Sequence, residues 1–190
     1  MEDKQVVRVI QKSFKESGIE VMTDVSVENI SITESGVKTV LKDGREFVTE
    51  KVLVSIGRSF NSSGIGLENI GVEVEKNTIK VNNKMETNVK GVYAIGDVTG
   101  GMLLAHIASA GGIVAAENIL GKEKFMDWSV VPAGIFTDPE IASVGLREKD
   151  AEAKGVKINV GRFPYAASGK ALTMGETEGF IQLITEEGTE

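Results

Sequence analysis

The 190-residue sequence contains no cysteine and a single histidine, His106. The lack of cysteine excludes disulfide bonds, thiolate nucleophiles and cysteine-ligated metals from these residues. With one histidine, a zinc centre or a self-contained Ser-His-Asp triad is hard to build. We therefore expect no metal site in this chain and no residue that performs proton or thiol chemistry.

Long apolar runs and charge of one sign are missing as well. No stretch approaches the roughly 20 apolar residues that a membrane-spanning helix needs, and the first residues, MEDKQVVRV, have no apolar signal-peptide region. Acidic residues outnumber basic ones by 28 to 21 and are mixed with them along the chain, which disfavours nucleic acid as a partner. With a hydrophobic content of 41%, we expect a globular, cytoplasmic protein.

The first part of the sequence predicts a helix followed by strands. Val6, Ile10 and Phe14 recur at helical spacing, and Gly18 follows as a stop signal. The β-branched, alternating runs that follow predict an antiparallel meander; they are IEVMT, VSVENISI, GVKTVLKDG and REFVTE. The next run, KVLVSIG, is apolar on both faces and predicts a buried strand that ends at Gly57.

The rest of the sequence predicts further α/β structure. A linker rich in Gly, Asn and Ser over 58–75 leads to a second predicted buried strand, GVYAIGD, and to a helix with a small-residue face over 103–120. A boundary at 128–132 precedes a third unit with a charged helix over 147–154; its predicted strands are GIFT, IASVG, KINVGRF and GFIQLIT. The opening helix has no strand before it and the chain stops after a strand, so both ends are expected to be cuts in a longer polypeptide.

The segment 92–97 carries the strongest signal for a ligand. A buried strand that ends in Gly96-Asp97, followed by a Gly-rich turn and a helix, delivers a carboxylate where α/β sheets bind ligands. A carboxylate accepts hydrogen bonds from sugar-like hydroxyls, and free N–H groups at a helix start can face an electron-rich oxygen. The alternative for Asp97 is that it caps the turn or helix that follows it.

Three other positions have equally plain structural interpretations. His106 could be packed at the start of a helix and bonded to backbone. Gly57 could be an ordinary turn residue after a strand, and Val25 could pack in a core. Their local sequence does not decide between these interpretations and contact with a ligand.

Five segments occur together in the order and spacing of one enzyme family: VLVSIGR, LENIGVEVE, GVYAIGDVTG, LLAHIA and FTDPEIASVGL. Over nearly the whole chain they resemble the pyridine-nucleotide disulfide oxidoreductases. Within that family, Leu104-Ala105-His106 is similar to the branch that oxidises dihydrolipoamide, since relatives of glutathione reductase usually have a Thr-Pro pair there.

The resemblance implies two cofactors, FAD and NAD. Asp97 would hydrogen-bond the ribityl region of FAD. The backbone of four residues would border the flavin near its pyrimidine oxygen: Leu103, Leu104, Ala105 and His106. Among them, Ala105 would donate its N–H. Gly57 would lie beside NAD, and Val25 would touch the adenine end. A helix N-terminus at the flavin would favour the negative charge of its reduced form.

The implied fold class is α/β, with parts of two Rossmann-like domains that bind FAD and NAD(P) and the start of an α+β dimerisation domain. Residues 1–58 would be the C-terminal part of the NAD-binding domain. Residues 59–126 would be the second segment of the FAD-binding, central domain, and residues 127–190 the start of the dimerisation domain. The parent protein would then be a homodimer.

Several family features are missing from the sequence. Both Gly-rich fingerprints and the redox-active cysteine pair would precede Met1, and the catalytic His-Glu pair would follow Glu190. The loop 167–171, Ala-Ser-Gly-Lys-Ala, differs from the family's common Asn-Ser-Arg-Ala pattern. We therefore expect the 190 residues alone to be inactive.

The parent enzyme is expected to oxidise protein-bound dihydrolipoamide with NAD as the electron acceptor. Its partners would be the lipoyl domains of 2-oxo acid dehydrogenase or glycine cleavage complexes. One alternative is another branch of the family, such as a transhydrogenase or a mercuric or glutathione-type reductase. Another, for the bare fragment, is a non-catalytic dimerisation piece.

Overall fold

The structure, a computed structural model, describes residues 2–189 and divides into two compact units. The first unit is formed by the chain up to Gly57 together with Phe163–Ile181. The second unit is formed by Arg58–Arg162 together with Gln182 and the residues that follow it. The predicted flavin-site residues lie in the second unit, while Gly57 and Val25 lie in the first.

The first unit opens with the predicted helix and meander. The helix is α1, Lys4–Glu16, and Gly18 follows it with a φ of 76°. Three antiparallel strands come next in spatial order; they are β1, Val27–Thr33, β2, Gly36–Leu41, and β3, Glu46–Thr49. The first predicted member of the meander, IEVMT, is not a strand. A Cβ on Gly36 would lie 2.5 Å from the carbonyl oxygen of Thr49, so this turn into β2 requires glycine.

The second unit contains short antiparallel pairs and the longest helix of the described chain. Its elements are β4, Val74–Glu75, β5, Thr78–Ile79, α2, Ala105–Ile119, β6, Ala133–Ile135, β7, Ile141–Ser143, and α3, Glu148–Ala153. Strands β4 and β5 pair with each other, as do β6 and β7. The predicted helices over 103–120 and 147–154 are therefore confirmed within a few residues.

The last elements of the chain follow the predicted pattern too. Strands β8, Ile158–Pro164, and β9, Phe180–Glu186, are hydrogen-bonded neighbours, and the helix α4, Gly169–Met174, lies between them in sequence. The loop 167–171 thus leads into α4, where the Ser168 hydroxyl accepts a hydrogen bond from the Ala171 N–H at 3.4 Å. This is an N-cap interaction.

The small-residue face of α2 packs against the core of the second unit. Met85, Val114, Ala115 and Met126 form this core. Small residues are needed because a Cβ on Gly111 would lie 3.3 Å from the Met85 sulfur, and one on Gly112 would lie 3.3 Å from Ile95 Cδ1. Helical spacing predicts that Gly111, Val114, Ala115 and Ile119 share this face; the first three are buried, but Ile119 is 64% exposed.

The two predicted buried strands are wrong for this structure. In VLVSIG, Leu53 is 91% and Ile56 is 93% exposed, and no described segment pairs with this run. In GVYAIGD, Tyr93 forms only an isolated bridge with Glu86. A strand in the middle of a parallel sheet requires a neighbour on each side. The apolar pattern indicates that such a segment is suited to burial, but it does not specify the neighbouring strands that a sheet requires.

Candidate functional site

Asp97 begins a tight turn that lies directly against α2. It is the first residue of a 3₁₀ turn, Asp97–Thr99, between two glycines with φ of 77° and ψ near ±180°, Gly96 at −164° and Gly100 at −161°. A Cβ on Gly96 would lie 3.5 Å from the Cβ of Ala108, in the first turn of α2. The chain therefore holds the Asp97 backbone next to the start of this helix.

The Asp97 carboxylate remains available to a ligand. Its Oδ2 lies 3.6 Å from Nε of Arg58, and its side chain is 45% exposed. Within residues 2–189 this carboxylate makes no hydrogen bond to the turn that follows or to α2, so the capping alternative is not observed. The turn is closed instead by Gly96, whose carbonyl accepts hydrogen bonds from Thr99 N–H at 3.0 Å and Thr99 Oγ1 at 2.8 Å.

Arg58, which follows Gly57 at the end of VLVSIGR, belongs to the site although its sequence context did not predict it. The contact joins residues 39 positions apart, which no local pattern reveals. Since both side chains are exposed, we expect the ion pair to orient the carboxylate more than to stabilise the fold.

The start of α2 presents unpaired backbone donors. Leu104 is the N-cap residue, with extended backbone, and its carbonyl accepts the Ala108 N–H at 3.1 Å. The N–H groups of Ala105, His106 and Ile107 lie in the first turn of the helix and therefore have no intrahelical acceptor. The apolar side chain of Leu104 does not cap them. Ala105 and His106 are exposed, whereas Leu103 and Leu104 are half-buried. This helix start can bind an oxygen that carries negative charge.

The His106 side chain points away from its own helix. Its Nε2 lies 2.8 Å from the carbonyl oxygen of Pro132. The interpretation that His106 is packed at the helix start and bonded to backbone is therefore observed in part. The imidazole is bonded to backbone, but the residue is exposed. Its backbone remains free for the role that the resemblance implies.

An open cleft of about 370 Å³ lies beside the same turn. Its lining includes Thr99, Gly100, Gly101, Asn83 and Trp128. The indole Nε1 of Trp128 donates a hydrogen bond to Asn83 Oδ1 at 3.2 Å, which spans 45 residues of sequence. No pattern in the sequence predicts this cleft.

Gly57 and Val25, the proposed NAD-site residues, are in the first unit. Gly57 has a φ of 119°, a conformation that L side chains rarely adopt, and a Cβ there would meet no atom within 4 Å. This open space allows a ligand to approach the backbone closely. Val25 is 36% exposed, so the alternative that it packs in a core is not observed.

Comparison with known proteins identifies the family. A family model described as pyridine nucleotide-disulphide oxidoreductase matches residues 1–112. The chain belongs to this family. Residues 131–190 match the family's dimerisation domain. Both findings agree with the resemblance carried by the five segments, although the individual domain boundaries at 58 and 126 stay predictions.

Curated relatives place the chain near one branch of the family. It is 41% identical over 189 residues to a dihydrolipoyl dehydrogenase of Chlamydia pneumoniae and 40% identical over 194 residues to one of Thermus scotoductus. Each alignment covers 99% of this chain but only 41% and 42% of the relative. The chain thus spans about two fifths of the length of these relatives.

Solved structures match the whole fold. The crystal structure of LpdA from Mycobacterium tuberculosis superposes with a TM-score of 0.94 at 30% identity, over 100% of this chain and 42% of that one. The flavoprotein disulfide reductase RclA from Escherichia coli matches with a TM-score of 0.89 at 26% identity, over 97% of this chain and 43% of that one. The expected α/β fold class, with FAD- and NAD-binding parts and the start of a dimerisation domain, is confirmed.

Metal-ligand clusters and membrane-spanning helices are both absent from the described residues. Among residues 2–189, no three His, Asp or Glu side chains are grouped in a way that would hold a metal ion. In the same part of the chain, every helix is too short or too polar to cross a bilayer.

The conformation of Gly96 leads to a stability prediction. Replacing Gly96 by Ala puts a Cβ on a residue with φ of 77° and ψ of −164°, which should destabilise the fold by about 2 kcal/mol through backbone strain. Urea unfolding of the full-length protein measures this effect. Gly161→Ala is the matched control, since that glycine has no positive φ and open space around its Cβ position. Equal stability of the two variants would show that the turn before Asp97 is not strained.

Proposed function

We propose that this chain is part of a dihydrolipoyl dehydrogenase and holds portions of its FAD and NAD sites. The observation that carries the proposal is the pairing of the exposed Asp97 carboxylate with the uncapped start of α2 in one compact unit. The 40–41% identity to two enzymes of that name supports the same branch.

The hydrogen-bonding groups of the second unit fit FAD. Asp97 would accept hydrogen bonds from the ribityl hydroxyls, because its carboxylate has no partner in residues 2–189 except Arg58. Arg58 would orient the carboxylate. When bound, FAD supplies the two-electron chemistry between a dithiol and NAD, while the protein binds and orients it.

The start of α2 would border the flavin near its pyrimidine oxygen. The residues proposed there are Leu103, Leu104, Ala105 and His106, with the Ala105 N–H as a donor. Because these N–H groups lack intrahelical acceptors and lie at the positive end of the helix dipole, they would stabilise negative charge at the flavin. The half-buried side chains of Leu103 and Leu104 would exclude water from one side of this edge.

The proposed NAD contacts are in the first unit. Gly57 would let the dinucleotide pass close to backbone, since no atom lies within 4 Å of its Cβ position. Val25 would present an exposed apolar side chain to the adenine. We assign residues 1–58 to the NAD-binding domain, 59–126 to the second segment of the FAD-binding domain and 127–190 to the start of the dimerisation domain.

The residues of this chain bind and position, and none performs thiol chemistry, since there is no cysteine. The redox cysteines and the general base would belong to other segments of the full-length protein. The match of residues 131–190 to a dimerisation domain supports a homodimer. Lipoyl domains of 2-oxo acid dehydrogenase or glycine cleavage complexes are the proposed partners. The proposed compartment is the cytoplasm, because these residues contain no disulfide.

The test is the behaviour of the purified full-length protein. We expect a bound flavin with visible absorbance and NADH formation when dihydrolipoamide and NAD are supplied. Flavin without this activity would favour another branch of the family, which glutathione disulfide, mercuric ion and NADPH would then distinguish. A colourless full-length protein would favour the non-catalytic alternative and contradict the proposal.

A further inference from the structure

The hydrogen bond from His106 joins two distant parts of the second unit. Nε2 lies 2.8 Å from the carbonyl oxygen of Pro132, across 26 residues of sequence. A carbonyl oxygen can only accept, so Nε2 must carry the hydrogen.

The two ends of this bond lie at structurally important positions. His106 is the second residue of α2, and its own N–H is one of those without an intrahelical acceptor. Pro132 directly precedes β6, whose first residue, Ala133, pairs with Ser143 of β7. His106 belongs to the part of the chain that matches the oxidoreductase model, and Pro132 to the part that matches the dimerisation domain.

We propose that the His106 side chain is a positioning residue that anchors the flavin-facing start of α2 to the first strand of the dimerisation segment. This inference rests on the proposed function for its flavin half. The side chain holds one turn of the helix against a fixed carbonyl, so the direction of the free N–H groups depends on the position of β6. The imidazole itself bonds Pro132, and only the backbone of His106 is proposed to border the cofactor.

The test compares three variants of the full-length protein. His106→Leu removes the donor, and His106→Gln keeps an N–H donor of similar reach. Ser109→Ala is the matched control, because it removes the hydroxyl bond to the Ala105 carbonyl, 3.2 Å long, on the same helix without affecting Pro132. Two quantities are measured: the amide hydrogen exchange of residues 133–135 and the rate of FAD release, followed by flavin fluorescence.

In His106→Leu, both rates should rise roughly fivefold, the factor that corresponds to one net hydrogen bond. His106→Gln should restore both, and Ser109→Ala should change neither. Faster exchange in His106→Leu with unchanged FAD release would overturn the coupling and leave a purely structural bond. Unchanged exchange would overturn the anchor itself. A wild-type protein without flavin would overturn the proposed function, and the exchange data would still decide whether His106 anchors β6.

Discussion

Replacement of Asp97 by Asn in the full-length protein is expected to weaken FAD binding about 10- to 100-fold, the range for hydrogen bonds to a charged group. The carboxylate has room to accept hydroxyl groups because its side chain is 45% exposed and Arg58 is its sole partner in the described chain. Asn keeps the size of the side chain but loses one acceptor and the charge. Titration of the apoprotein with FAD, followed by flavin fluorescence, measures the change.

The matched control is Asp127→Asn. Asp127 is exposed in the same unit, and its carboxylate accepts hydrogen bonds only from Ser129 among the described residues, at 2.6 and 2.9 Å. These bonds hold the pKa of Asp127 below its ordinary value, so the Asn substitution removes a negative charge there at neutral pH. Equal FAD affinity of the two variants would remove Asp97 from the site. Arg58→Gln should have a smaller effect, about threefold, since it removes only an exposed partner.

Replacement of Asn118 by Leu is expected to destabilise the protein by about 2 to 3 kcal/mol, because it leaves several polar groups without partners. Asn118 lies near the end of α2, and the two hydrogens of its Nδ2 are shared among three carbonyls, those of Lys124 at 2.8 Å, Val114 at 2.9 Å and Lys84 at 3.3 Å. Its Oδ1 accepts the N–H of Lys124 at 3.2 Å. One half-buried amide thus joins three segments of the chain around Met85 and Met126 of the core.

Urea unfolding of the full-length protein measures this loss, with Asn69→Leu as the control. Asn69 is exposed, and no hydrogen bond of its side chain occurs among the described residues. Asn118→Asp should be at least as harmful as Asn118→Leu, because it places a carboxylate against three carbonyls. FAD affinity should stay unchanged in folded Asn118→Leu, since 13 residues of helix, about 20 Å, separate it from Ala105. A loss of affinity without a loss of stability would contradict the separation of these two roles.

The elements with strong periodicity could be predicted from the sequence alone. The spacing of Val6, Ile10 and Phe14 predicted α1, and alternating β-branched residues predicted β1, β2 and β3. Such patterns succeed because a helix and a hairpin satisfy their backbone hydrogen bonds within a short stretch of chain. The run IEVMT fails the same test: it alternates, but no described strand pairs with it.

Burial could not be predicted in the same way. The run that contains Leu53 and Ile56 is apolar on both faces and is nonetheless 91% and 93% exposed at these two residues. Apolar composition indicates a favourable free energy of transfer from water, but burial also requires another segment against which the side chains can pack. The relatives are more than twice as long as this chain, so composition alone could not say which segment would supply that surface.

The candidate site also has parts that the sequence predicts and parts that only the structure shows. Asp97 and the start of α2 could be found from the sequence, because a strand, a Gly-rich turn and a helix follow one another within a few residues. The pairing of Arg58 with Asp97, the bond from His106 to Pro132 and the contacts of Asn118 could not. The partners in these contacts are up to 39 residues apart in sequence, and the sequence around one partner does not indicate the other.

The sequence by itself determined the chemistry that this chain lacks, the family to which it belongs and the helices and strands whose hydrogen bonds are local. Zero cysteines exclude thiol chemistry whatever the fold is, and periodicity depends only on neighbours along the chain. The tertiary structure alone decided which charge faces Asp97, where the His106 imidazole is anchored and which apolar residues are exposed. Those properties depend on distances between segments, and such distances exist only after the chain has folded.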